Sequence, residues 1–359
     1  MTARRSIWIL ALAAALTALL AGACSKAIGP DTENEDDGWT NVVGDLPISF
    51  SSSLDVPATK GTLPANSTFG VFAYYTKTSN WGNGNNFTPN FMYNEDVAFD
   101  GTSYTYDPIK YWPDNTNDKI TFWAYYPYSA SPVLYKKDSS TGYTNATKNL
   151  PDIRFTVTDG QTDFMVSNVE TNKTRPAVNT PVLLTFNHAL SRISFYVKKV
   201  DTAVPEKYTV KLKSIRLDGI YLTAIHKSTA NPTVWYNWAT RGNIPTFTPA
   251  DPTEYLTLTT SYPADGSPQA VSMAIPQDLN YEYAMLHIEY TIDFEGLLNT
   301  RTMITNIPLS TVFDDGDEDT PVLWQKGKEY RVNISITPDD PIEFSVTWSN
   351  WGTVHNINC

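Results

Sequence analysis

The stretch Tyr104–Tyr128, YTYDPIKYWPDNTNDKITFWAYYPY, constrains the chain more than any other. Tyr104, Tyr106, Tyr111 and Trp112 crowd its first half, and Phe122, Trp123, Tyr125, Tyr126 and Tyr128 its second. Between them, Asp114–Asp118 carries Asn and Asp residues, whose side-chain hydrogen bonds bend a chain. Ile120–Tyr126 reads as a strand, because β-branched and aromatic residues fit a pleated surface. A hairpin alone is marginal in water, so its aromatic face needs a covering layer. The stretch is therefore expected to be the central hairpin of a β-sandwich.

The same pattern recurs along the chain. Leu46–Leu54 alternates as a first strand, Phe69–Thr76 reads as a buried strand, and Phe91–Phe99 leads into the aromatic stretch. Short strands are expected over Ile153–Thr158 and Asp163–Val166, and extended segments Val182–Phe186 and Ile193–Val197 flank NHALSR. Tyr208, Val210 and Leu212 alternate, but Ile215 and Leu217 continue one residue out of phase, which predicts a β-bulge near Ser214. Leu286–Phe294, Tyr330–Ile336 and Ile342–Trp348 alternate apolar and polar residues, as half-buried strands do. At 359 residues two domains are the natural prior. Aromatics at 13% and 24 prolines, without long helical periodicity, predict an all-β fold. The boundary is placed near residue 190, giving domains over 46–190 and 191–359.

The N-terminus reads as an export leader. Arg4 and Arg5 precede the apolar run Ile7–Leu20, too short and too early for a mature transmembrane span. It ends in Ala21-Gly22-Ala23-Cys24, small residues directly before a cysteine, as in a lipobox. Residues 1–23 would then be a lipoprotein signal peptide and Cys24 the acylated residue; the alternative is an ordinary leader cut at Ala23. Residues 24–45 are polar and acidic, a tether with almost nothing to bury. Cys359 is the only other cysteine, so no disulfide framework is expected.

Several blocks in order resemble the fimbrillin family, the Bacteroidales lipoproteins that build type V pili. These are Tyr106-Asp107-Pro108, Lys110-Tyr111-Trp112-Pro113, Phe122–Tyr128, Phe186–Phe195 and Trp324–Trp351. The resemblance spans about residues 46–352. It implies two tandem transthyretin-like β-sandwich domains, a lipid anchor in the outer membrane, and other pilus subunits as partners. It also implies assembly by strand complementation after a trypsin-like cut behind the first strand. Mapped here, the removable strand is Leu46–Leu54 and the cleavage loop Asp55–Asn66, whose one basic residue is Lys60. Family members known for the cut carry Arg there, and this chain has no arginine between Arg5 and Arg154.

Chemistry finds little to stand on. A net charge of -12 disfavours nucleic acid, which needs clustered Lys and Arg. His188, His226, His287 and His355 show no metal-ligand spacing, and no phosphate-binding or nucleophile-elbow motif occurs. The acidic run Asp314–Asp319 lacks the spacing of a calcium loop and reads as solvated. No metal, cofactor or catalytic residue is expected, and nothing selects a carboxylate pair for glycoside hydrolysis. Two stretches read as aromatic loops: Trp81 in SNWGNGNN, and Trp235 and Trp238 in VWYNWAT, could stack on sugar rings or be ordinary core and interface residues. A monomeric surface glycan-binding lipoprotein is thus the alternative to a pilus subunit.

Overall fold

The computed structural model describes residues 46–55, 62–82, 89–130, 134–135, 150–201, 207–228, 234–251, 255–296, 300–314, 321–338 and 341–351, with backbone alone at 134, 135 and 234. The first strands are β1 (Phe50–Leu54), β2 (Ser67–Lys77), β3 (Met92–Phe99), β4 (Tyr104–Thr105) and β5 (Lys119–Tyr126). Then come β6 (Leu134–Tyr135), β7 (Asp152–Thr156), β8 (Met165–Ser167), β9 (Glu170–Lys173) and β10 (Val182–His188). The later ones are β11 (Ser191–Lys199), β12 (Tyr208–Lys227), β13 (Val234–Phe247), β14 (Leu256–Thr257) and β15 (Ala270–Ala274). Last are β16 (Met285–Phe294), β17 (Thr300–Pro308), β18 (Lys328–Ile336) and β19 (Glu343–Asn350), with one helical turn, α1 (Leu309–Val312), after β17.

The fold is all-β. Hydrogen bonds join the first sheet in the order β1-β10-β8-β5-β2-β3-β4, with β9 beside β5. A second sheet runs β15-β11-β18-β19, and a third β17-β16-β12-β7-β6, with β13 and β14 also along β12. In β18 the buried residues are Tyr330, Val332, Ile334 and Ile336, so one face goes inward, as the alternation predicts. They share a core with Ile193, Phe195 and Val197 of β11, and with Val210, Leu212, Leu286 and Ile288 of the third sheet. The bulge expected in β12 is present: its register against β16 slips between Leu212 and Ser214. That slip keeps both Leu212 and Ile215 fully buried.

β2 and β5 read as nearly continuous apolar runs because both their faces are covered. Phe72, Tyr74, Trp123 and Tyr125 belong to the same buried cluster as Leu190, Phe195 and Ile334. On the opposite face Phe69 meets Phe186 at 5.4 Å between ring centroids, and Phe122 meets Phe50 at 5.9 Å.

Two expectations need correction. Tyr104–Tyr128 is not a hairpin: β4 lies at the sheet edge on β3, and β2 and β3 stand between it and β5. Tyr106–Trp112 instead crosses to the chain before β1, where Tyr106 and Trp112 are buried. VWYNWAT is not a loop but the start of β13, paired antiparallel with β12, which continues to Lys227. The strand expected at Ile153–Thr158 does form, as β7, but it pairs with β12 and thus with the third sheet. The boundary placed near residue 190 falls between β10 and β11, yet β6 and β7 cross it in their pairing.

Candidate assembly site

β1 is the element around which a site is built. It lies parallel to β10, with Phe50 opposite Val182 and Leu54 opposite Phe186. The ladder is extended at both ends, where Val182 N–H donates to the Ser49 carbonyl and Asp55 N–H to that of Phe186, each at 2.8 Å. β1 stands at the end of the first sheet, so β10 supplies its only strand ladder among the described residues.

The residues before β1 are gripped by the segment that was expected to form the hairpin. Ile48 N–H donates to the Lys110 carbonyl at 2.8 Å, and Trp112 N–H to the Leu46 carbonyl at 3.0 Å. Pro47 and Tyr111 form an antiparallel bridge between these bonds. The Tyr106 hydroxyl donates to the Ile48 carbonyl at 2.8 Å and accepts from Lys110 N–H at 3.2 Å. Burial pushes this phenol up to about 12, so it stays a donor at any physiological pH. Ser52 N–H reaches the Tyr104 hydroxyl at 3.2 Å, and the Ser52 hydroxyl lies 2.7 Å from the same oxygen.

Side chains alternate along this stretch as its sequence predicts. Ile48, Phe50 and Ser52 point inward and are buried, whereas Ser49, Ser51 and Ser53 are half-buried. The Phe50 ring sits 5.6 Å from Tyr106, 5.9 Å from Phe122 and 6.5 Å from Phe69. Taking β1 away would open an aromatic-floored groove over Phe69, Phe122, Phe186 and Tyr106, with the β10 backbone unpaired along one wall. Tyr104 and Tyr106 were not singled out from sequence as groove residues; their two-residue spacing is the signal that puts both on one face.

The other expected site residues are dispersed. Cys24 and Lys60 lie outside the described residues, as do Cys359, His355 and all of the acidic run beyond Asp314. Trp235 is buried and donates its indole N–H to the Ala189 carbonyl at 2.9 Å. It therefore anchors β13 on the core and offers no face to a sugar, a correction to its candidacy for stacking. Trp81 is half-buried, 4.8 Å from the Tyr74 ring, and its backbone N–H donates to Asn172 Oδ1 at 2.6 Å. Trp238 alone of the three is exposed.

His188 at the end of β10 pairs its Nδ1 with Asp163 at 2.6 Å and stacks on Trp351 at 3.8 Å. His226 on β12 is buried between Phe164 and Trp235, at 5.6 and 5.1 Å. Neither of its ring nitrogens finds a hydrogen-bond partner among the described residues. Among those residues no group of His, Cys, Asp and Glu could hold a metal, and no helix is long and apolar enough to cross a membrane.

Comparison with known proteins bears on this arrangement. The family described as Fimbrillin-like matches residues 57–351. Fimbrium subunit Fim1C of Phocaeicola vulgatus is 31% identical over 187 residues, 47% of this chain and 48% of that protein. The match thus spans about half the length of that curated relative. A fimbrial protein of known structure from Bacteroides vulgatus is similar in fold, with a TM-score of 0.55 at 20% identity, over 84% of this chain and 99% of that one.

Proposed function

Because the chain belongs to the fimbrillin-like family, we propose that it is a structural subunit of a cell-surface pilus in which β1 is an exchangeable strand. The family is one of structural fimbrial proteins, and the chain is not an enzyme. The observation that carries the strand-exchange reading is the position of β1: N-terminal, at a sheet edge, with one ladder, and lying over an aromatic floor. A cut after Lys60 would sever β1 from β2, leaving only non-covalent contacts to hold it. A neighbouring subunit's strand would then take its place, main-chain hydrogen bonds to β10 giving affinity and alternate pockets giving register. The occupant would need two large apolar residues two positions apart, followed by a small one, in place of Ile48, Phe50 and Ser52.

The other end of the chain offers a contact of the opposite kind. β19 is the outer strand of the second sheet, and Trp348 on it is 62% exposed. β18 and β19 would contribute to the contact with the next subunit. Acylation at Cys24 would hold the precursor in the outer membrane, with residues 24–45 as its tether. The lysine at position 60 would select the processing enzyme: an arginine-specific protease would find no site in the loop Asp55–Asn66, and a lysine-tolerant one would cut it there.

Limited trypsin digestion of the soluble chain from Ser25, followed by electron microscopy and an unheated denaturing gel, tests the reading. The expected product is a chain starting at Gly61, forming filaments or a heat-sensitive ladder. A clean cut that leaves monomers would assign the chain to a tip or accessory position. Resistance at Lys60 would end the strand-loss mechanism for this protein and leave monomeric glycan binding as the better reading.

A further inference from the structure

A second surface, remote in sequence from β1, is built around Arg241 on β13. Its guanidinium carbon lies 4.6 Å from the centre of the Tyr221 ring and 4.4 Å from that of Tyr281. The two tyrosines meet edge to face at 5.4 Å, and Arg241 Nη2 donates to the Tyr221 hydroxyl at 3.1 Å. Stacking of this kind fixes a guanidinium in place while leaving most of its N–H donors free for a planar anion.

The chain fixes this arrangement from three directions. Tyr221 of β12 stands opposite Arg241 in the β12–β13 ladder. Gln277 closes the loop 276–283 onto that ladder, accepting from Tyr221 N–H at 2.7 Å and donating to the Tyr221 carbonyl at 3.2 Å. At one end of this loop the Trp238 indole N–H reaches the Pro276 carbonyl at 3.4 Å. At the other, Tyr283 packs its carbonyl against Gly219, whose φ of +67° and close approach leave no room for a Cβ. Trp238 and Tyr283 are 41% and 62% exposed.

The charge on Arg241 has no acidic partner among the described residues. Ion pairs among the described residues engage Arg175, Arg192, Arg216 and Arg331, but not Arg241. Two carboxylates act on the surrounding tyrosines, Glu282 raising the Tyr283 phenol and Asp278 that of Tyr281, but neither forms an ion pair with Arg241. In a chain with 38 acidic and 26 basic residues, an exposed arginine held by rings and by no acid is available to an anion from outside.

The geometry points to a binding site for a carboxylate-bearing sugar, in which Arg241 takes the carboxylate and the exposed rings of Trp238 and Tyr283 supply stacking faces. A bidentate guanidinium–carboxylate pair gives direction as well as strength, and exposed aromatic faces cover the C–H face of a pyranose. The site uses β12, β13 and the loop 276–283, so it does not depend on whether β1 is exchanged.

Calorimetry on the uncut soluble chain from Ser25 decides the matter, with trigalacturonate and 3′-sialyllactose as acidic probes and galactotriose and lactose as neutral ones. An acidic probe is expected to bind with a dissociation constant on the order of 1 mM or tighter, and the neutral ones at least about tenfold more weakly. Arg241→Gln should weaken the acidic probe by about tenfold or more, and Arg241→Lys should recover part of that loss while keeping the charge. Equal binding of acidic and neutral probes overturns the proposal, as does no binding of either acid at about 10 mM. So does an Arg241→Gln chain that binds as the parent does. The acid-to-neutral ratio is read on the unaltered chain, so it decides even if a variant folds poorly. None of these outcomes bears on filament formation after trypsin.

Discussion

Replacing Phe50 by alanine is expected to lower stability by about 3–5 kcal/mol, the range for truncating a well-packed phenyl ring. The value should fall in that range because the cavity cannot collapse. Its floor is Phe69 on β2 and Phe122 on β5, and those two strands are hydrogen-bonded to each other along most of their length. Its roof is Tyr106, whose hydroxyl is tied to Ile48 and Lys110. Ser53 provides the control, since it lies on the same strand but points outward, with its hydroxyl 3.1 Å from that of Thr185. Ser53→Ala should cost no more than about 1 kcal/mol, the usual net worth of a partly exposed hydrogen bond. Urea unfolding of both variants measures the contrast. A second readout follows the strand itself: after a cut at Lys60, the Phe50→Ala chain should release its N-terminal fragment on gel filtration at a urea concentration where the parent retains it. Equal costs for the two substitutions would mean that β1 is held by its ladder and not by its ring.

That test concerns a strand whose existence, though not its surroundings, is legible in the sequence. Alternation alone places β16, β18 and β19, and the phase change after Leu212 reveals the bulge, because a slipped residue would otherwise turn a whole apolar set toward water. The error at Tyr104–Tyr128 has a physical origin. Asn and Asp report that a chain bends, but whether its two flanks pair is decided by partners far away. Here those partners are β3 for Tyr104–Thr105 and Leu46–Ile48 for Lys110–Trp112. β13 was missed for a different reason. Asn237 and Thr240 adopt positive φ, and the β12–β13 register slips three times, so Trp235 and Ile244 turn inward without keeping a period of two.

The candidate site follows the same division. Family resemblance, carried by blocks such as Phe186–Phe195 and Trp324–Trp351, identifies the first strand as the element of interest, and the family match supports that resemblance. Nothing local in the sequence could show that Tyr104 and Tyr106 close over it, since that contact joins residues more than fifty positions apart. The tryptophans make the converse point. Three look alike as exposed aromatics in polar company, yet Trp235 is committed to the core by one hydrogen bond to Ala189.

The same stretch of β12 and β13 carries the second large effect, a loss of stability on mild acidification traceable to His226. Burial lowers the pKa of this imidazole to about 3, and the positive charge of Lys326 adds to the effect. The ordinary value, 6.5, applies to the unfolded chain. Well above pH 6.5 both states are neutral and the group contributes no pH dependence. Below it the unfolded chain takes up a proton that the folded chain refuses, so stability falls as pH falls, by about 1.4 kcal/mol per unit once well under 6.5. Between pH 7.5 and 5.5 the expected loss is therefore about 1.4 kcal/mol. His226→Phe should abolish that component, and at pH 7.5 it should be near neutral or stabilising, because both ring nitrogens are buried without hydrogen-bond partners among the described residues. Urea unfolding of parent and variant at several pH values in this window gives the difference curve. The other histidines and the buried carboxyl Asp152, raised by its own burial, are common to both chains and cancel in the difference. Parallel curves would mean that the folded protein accepts the proton at His226, and that the pocket formed by Phe164 and Trp235 opens to water on a scale the packed structure does not display.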